Sequence, residues 1–281
     1  MRKEKGHAGC QVAISGRLVI SAYVYGILFA ILASTSVARS STVYSSASDQ
    51  RIVIAADSLI VERVSGKTSR LCKIMQSDSY FFAAVGDYLV PGFNVFKIIT
   101  QALGGAGTFT EKFSTLESSL ALSIPVLVES VRKNDREQYQ KWLGGSPPVE
   151  IVLATVEHGQ LILATWGQVL KADGRLDEPY KSFCRSAQAG SCDHVSGSQF
   201  TTRRYMEEHP IESGHQRLHF PTGYAIFSVE LEIEGNRAEV GPPISALEIT
   251  NQRVRWIPGF QGICPAIVSL DRTTRSTDKK K

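Results

Sequence analysis

An α+β fold is predicted, with antiparallel strands supplying the core and a helical block interrupting them. Three observations predict it. Residues 42–86 form short apolar, β-branched and aromatic runs broken by polar turns. From Phe93 to about Leu143 the apolar spacing changes to three and four residues. From Val149 to Trp166 two continuous apolar runs flank a short turn containing Gly159. A chain of 281 residues with 43% hydrophobic content can bury the core of one domain and still carry extensions.

The first extension is N-terminal. Residues 18–37 contain no charged side chain, follow a basic stretch with Arg2, Lys3, Lys5 and Arg17, and end in the small residues Ala33-Ser34-Thr35-Ser36-Val37-Ala38. That is the layout of a secretory signal peptide, and the apolar run is also long enough to stay in a membrane as an anchor. The positive-inside rule places the chain that follows outside the cytoplasm, periplasmic or secreted if cleaved and membrane-anchored if not. Ser36-Val37-Ala38 is the best small-x-small cleavage site, whereas a cut after Ala38-Arg39-Ser40 exposes Ser41 directly. Residues 1–40 hold five basic residues against Glu4, so the whole net charge of +4 resides there. With the basic tail set aside, the middle of the chain is slightly acidic, which argues against a nucleic-acid surface.

Next come two strands joined by a polar turn at Asp49 to Arg51, then a loop and a strand pair centred on Leu71 to Met75 and Phe81 to Val85. This stretch sets a hydroxyl at Ser41, a carboxylate at Asp57 and an ammonium at Lys73, sixteen residues apart each time. Taken singly, Ala-Ala-Asp-Ser is a strand finishing in a turn and Lys73 an ordinary lysine. In register, the strings Ile52-Val53-Ile54-Ala55-Ala56-Asp57-Ser58, Lys73-Ile74 and Ala83-Ala84-Val85-Gly86 resemble the first third of proteasome-type subunits and their bacterial relatives. Those proteins are N-terminal nucleophile (Ntn) hydrolases.

The resemblance implies a four-layer αββα sandwich over residues 41–270. It also implies a nucleophile at Ser41, with Thr42 as the alternative one residue out of phase. The family uses Thr, so Ser41 keeps the hydroxyl but lacks the methyl group that restricts its rotamer. A hydroxyl needs a base within reach, and a chain-terminal α-amine with a pKa of about 8 can be that base. By resemblance Lys73 would depress the amine's pKa, Asp57 would orient Lys73, and the Gly86 N–H would face a developing oxyanion.

The helical block should hold one helix from Phe93 to Leu103 and a second from near Thr110. In the second, Phe113, Leu116, Leu120, Ile124, Leu127 and Val131 make one apolar face, and Pro125 should kink it. Gly144-Gly145 and Pro147-Pro148 close the block, and the hairpin of residues 149–166 follows. Residues 171–222 are the least legible stretch, with a short helix from about Ser198 to Glu208, and the irregularly spaced His194, His209, His215 and His219 read as surface loop. In the resembled family a Gly-Ser pair there assists the nucleophile. Gly190-Ser191 and Ser196-Gly197-Ser198 lie equally near, which makes Ser191 a weak candidate.

Ala225, Phe227, Val229, Leu231 and Ile233 alternate with polar residues as in a half-buried strand, whereas the resemblance puts a helix there; we take helix for 224–234. Glu239 to Ile249 and Arg255-Trp256-Ile257 look like the family's closing strands, and residues 271–281 are expected to be a disordered basic tail.

Cys10 precedes the apolar run, leaving Cys72, Cys184, Cys192 and Cys264, which are either disulfides or buried thiols. Cys184 and Cys192 are close enough to close a small loop. No Cys-x-x-Cys or ligand-spaced His cluster supports a zinc site, and the resemblance implies no cofactor. The expected function is an exported or anchored hydrolase of peptide or amide bonds. An inactive Ntn-fold binding or assembly protein and a small-molecule amidase are the alternatives. Self-assembly with sister subunits is compatible with the resemblance, while export away from any regulatory ATPase argues against a degradative proteasome.

Overall fold

β1 (Thr42–Ala47) and β2 (Ile52–Ala56) pair antiparallel with Ala47 opposite Ile52. The turn between them is closed by the Ser48 N–H donating to the Arg51 carbonyl at 2.9 Å. The computed structural model describes residues 41–61, 68–87, 89–90, 92–185, 192–197, 199–238 and 240–268. The signal or anchor segment at 1–40, Ser191 and the tail at 271–281 lie outside the described residues.

After β2 come the small hairpin β3 (Leu59–Val61) and β4 (Thr68–Arg70), the pair β5 (Ile74–Ser77) and β6 (Tyr80–Gly86), and the two-residue strands β7 (Leu89–Val90) and β8 (Phe93–Asn94). β5 thus begins three residues later than the apolar run starting at Leu71. The helical block is α1 (Val95–Leu103), α2 (Phe109–Asn134) and α3 (Arg136–Leu143). Asn94 caps α1, Thr108 and Glu111 form a reciprocal capping box on α2, and Asp135 caps α3. Pro125 does not end α2, which runs on to Asn134.

The hairpin is β9 (Val149–Glu157) with β10 (Gln160–Gln168), as the two apolar runs predicted. The described residues of the 171–222 stretch include regular elements. They contain β11 (Tyr180–Arg185), β12 (Cys192–Gly197), α4 (Phe200–Glu208) and α5 (Pro210–His219). His194 is therefore on a strand, and His215 and His219 are on a helix. α6 (Pro221–Gly235), β13 (Ser245–Ile249) and β14 (Val254–Trp256) complete the order.

The strands form two five-stranded antiparallel sheets, β12-β1-β2-β13-β14 and β11-β10-β9-β6-β5. Alternation along the central strands divides their side chains between two cores. Val43, Ile52 and Ile54 of the first sheet pack with Phe81, Ala83, Val85 and Val152 of the second. Phe82, Ala84, Ile151 and Leu153 face the other way, onto Ile99 of α1 and Leu116 and Leu120 of α2. Tyr44, Val53 and Ala55 turn from the shared core to Tyr224, Ala225 and Val229 of α6. Burial on both faces is why these strands read as continuous apolar runs.

α6 is helical despite its alternating pattern. Its buried residues include Ala225, Ser228, Val229 and Glu232, which follow a helical spacing of three and four, and Glu232 accepts the Thr202 N–H at 2.7 Å from α4. That paired carboxylate places a glutamate on the buried face, which a reading by polarity alone assigns to solvent. Two disulfides, Cys72–Cys264 and Cys184–Cys192, join distant parts of the fold. The second ties β11 to β12, edge strands of different sheets. Both point to an oxidising environment outside the cytosol.

Candidate active site

β2 ends at Ala56, and the chain leaves the sheet at Asp57 with its carboxylate turned inward and fully buried. Among the described residues it accepts four hydrogen bonds. Oδ1 takes the Thr42 N–H at 2.9 Å and Lys73 Nζ at 2.6 Å; Oδ2 takes the Leu59 N–H at 3.1 Å and the Gly241 N–H at 3.3 Å. The Asp57 N–H in turn donates to the Thr42 carbonyl at 3.2 Å. Lys73 is as buried as its partner, so the pair survives burial because each charge meets an opposite one and the carboxylate's remaining lone pairs are filled.

Lys73 lies in the short link before β5, next to Cys72, and the disulfide to Cys264 fixes that link. The Leu71 N–H donates to the Ser58 carbonyl at 2.9 Å, and the Ser58 N–H donates to the Gly241 carbonyl at 3.1 Å. The segments around residues 57, 73 and 241 are thereby locked to one another at one end of β1 and β2.

Ser41 immediately precedes β1 and is buried, and its Oγ lacks a hydrogen-bond partner among the described residues. A buried hydroxyl without a partner is costly unless it is needed for something else. Its backbone is packed as closely. Gly197, at the end of β12 and opposite Thr42, has φ +80°, and a Cβ there would sit 1.8 Å from the Ser41 carbonyl oxygen. Of the two Gly-Ser candidates, the Gly197-Ser198 pair thus has its glycine against Ser41. Ser198, like Ser191, is outside the described residues. β12 begins with Cys192 opposite Ala47, at the other end of β1.

Gly86 ends β6, opposite Val149 of β9. Its φ of +95° and the 2.2 Å approach that a Cβ would make to the Pro148 carbonyl oxygen require glycine there. The requirement is one of backbone packing and holds whatever its N–H faces.

A second buried carboxylate escaped the sequence reading. Glu150 of β9 accepts the Gly197 N–H at 2.7 Å and the Tyr180 hydroxyl of β11, with His194 Nε2 of β12 at 3.8 Å. Burial pushes its carboxyl above the ordinary range, a shift its hydrogen bonds with Tyr180 and Gly197 and the Arg203 charge oppose. Burial likewise lowers His194, with Arg203 adding to the effect, and burial and Glu150 raise Tyr180. Gly167 leaves room for this tyrosine, since a Cβ there would meet Tyr180 Cζ at 2.3 Å. The available signal was a lone glutamate inside the apolar run Val149 to Val156.

Among the described residues there is no group of three His, Cys, Asp or Glu that could hold a metal ion, and no helix long and apolar enough to cross a membrane. The apolar segment 18–37 is outside them. Comparison with protein-family models gave no match, and comparison with curated proteins gave none either.

Proposed function

We propose that this chain is an exported or membrane-anchored Ntn hydrolase of proteasome-like type that cleaves peptide or amide bonds with Ser41 as its N-terminal nucleophile. The observation that carries this reading is the Asp57–Lys73 pair, bound through the Thr42 N–H to the residue that follows a buried serine whose hydroxyl has no partner among the described residues. The three successive cores, helices on sheet, sheet on sheet and sheet on helix, support the four-layer αββα arrangement. The two disulfides support a periplasmic or secreted location for the domain.

Cleavage of the Ser40–Ser41 bond converts the Ser41 nitrogen from an amide into an amine, the base that the reaction needs. Ser41 Oγ then bonds to the substrate carbonyl carbon while its proton passes to that amine. The proton next moves to the departing nitrogen as the C–N bond breaks, leaving an acyl-Ser41 ester and a free amine. Water attacks the ester, the α-amine relays its proton back to Ser41 Oγ, and the acid leaves. In this reading the Lys73 charge favours the neutral amine, and the Gly86 N–H is the proposed donor to the oxyanion. N-terminal sequencing of the mature protein tests this: the expected first residue is Ser41, and any other start removes the base.

A further inference from the structure

We infer that Glu150 is a positioning residue that holds Ser41 and Gly86 in register across the two sheets; the inference rests on the Ntn reading above. Glu150 sits on β9 of the second sheet, one residue from Val149, which is paired with Gly86. It is itself paired with Val85. Its Oε2 crosses to the first sheet and accepts the Gly197 N–H at 2.7 Å, and Gly197 is the residue on which the Ser41 carbonyl packs without space for a Cβ. The same notional Cβ lies 3.3 Å from Val85 Cβ, so the chain at Gly197 is wedged between the nucleophile's backbone and the strand that ends at Gly86.

The other carboxylate oxygen is held by Tyr180, whose ring lies over Gly167. A buried glutamate with one oxygen fixed by the edge strand β11 and the other on the Gly197 amide cannot shift without dragging β12. The side chain therefore acts through Gly197 and has no contact with reacting atoms. Rate losses of about 100-fold follow from displacements of about 1 Å between a nucleophile and its partners, which is the sensitivity that makes such a brace matter.

The test compares Glu150→Gln and Glu150→Ala by two readouts. These are amide hydrogen exchange at Gly197 in the full chain, and the rate at which the processed form opens a β-lactone probe. In that reaction the Ser41 Oγ–acyl bond forms, the ring C–O bond breaks and the proton ends on the released hydroxyl. Gln keeps an acceptor for Gly197 and a group that can pair with Tyr180, so Glu150→Gln is expected to stay within about threefold of wild type on both. Glu150→Ala is expected to speed Gly197 exchange and slow labelling, each by about 10–100-fold, with the far-ultraviolet circular dichroism of wild type.

Wild-type exchange and labelling in a folded Glu150→Ala protein overturn the inference. Should that variant not fold, Tyr180→Phe decides by the same readouts, because it keeps the carboxylate but releases one of its oxygens; no change in either overturns it. If wild type itself does not label, the hydrolase reading fails, and Gly197 exchange still decides whether Glu150 holds the strand.

Discussion

Two buried carboxylates flank the start of β1, and they are solvated by the protein in different ways. Asp57 faces a lysine and three backbone N–H groups. Glu150 faces one N–H and one hydroxyl, with the nearest cation-forming side chain, His194, at 3.8 Å. The first environment pairs the carboxylate with an ammonium and fills its other lone pairs with backbone N–H groups. The second penalises charge, so burial raises the carboxyl and makes the side chain a hydrogen-bonding brace. Two acids, one at the end of the first sheet and one on the second, thus have separate tasks, set by what surrounds them.

The largest effect is expected from unpairing Asp57. Lys73→Met leaves a buried carboxylate without its cation and should cost about 3–5 kcal/mol in chemical denaturation, along with all probe labelling. Lys73→Arg keeps the charge but not the compact ammonium, and it should fold better than Lys73→Met while labelling as poorly.

The disulfides come next. Replacing Cys72 and Cys264 by Ser opens a link with a sequence separation of 192 and loosens the backbone next to Lys73, and it should cost about 2–4 kcal/mol. The Cys184–Cys192 link, with a separation of 8, should cost less, because the closed loop is shorter. Denaturation midpoints of the two double variants rank them, and equal losses would break the argument that the Lys73 side of the site depends more on its covalent link.

The parts of this site visible in the sequence are those whose partners lie near one another along it. Asp57 and Lys73 are sixteen residues apart, at the margins of strands with clear apolar runs, and they make a contact that the family resemblance, rather than the spacing alone, suggested. Glu150 was hidden because its partners, Tyr180 and Gly197, are 30 and 47 residues away, in a stretch without readable periodicity. β11 is an edge strand whose side chains are mostly exposed, so Tyr-Lys-Ser-Phe-Cys-Arg carries little apolar alternation. Gly197 could not be told from Gly190 until pairing with Thr42 placed it. In α6 a buried glutamate paired with the Thr202 amide disguised a helical face as a strand, and only the resemblance favoured the helix.

A smaller effect is a pH dependence at Glu150. The folded Glu150 carboxyl is raised above the ordinary 4.5 by burial. The folded protein therefore holds this proton more tightly than the unfolded chain. Its stabilising contribution is full below about pH 4.5 and is lost as pH rises through the raised value. Glu150→Gln removes that loss, so denaturation midpoints measured from about pH 4 to about pH 8 should fall more for wild type than for the variant. A steeper fall in the variant would contradict the assignment of the proton.

The smallest effect is expected at Thr42. Its tie to Asp57 is a backbone N–H, which Thr42→Ala retains, so labelling should remain within about twofold of wild type. Loss of labelling in Thr42→Ala with retention in Ser41→Ala would move the nucleophile by one residue.

The central claim is tested most directly by peptide mass mapping of the mature protein after reaction with the β-lactone probe. The account predicts an N-terminal peptide beginning at Ser41 and carrying one acyl group on that residue, absent from Ser41→Ala. A mature chain that begins elsewhere, or one that begins at Ser41 and carries no label, contradicts it.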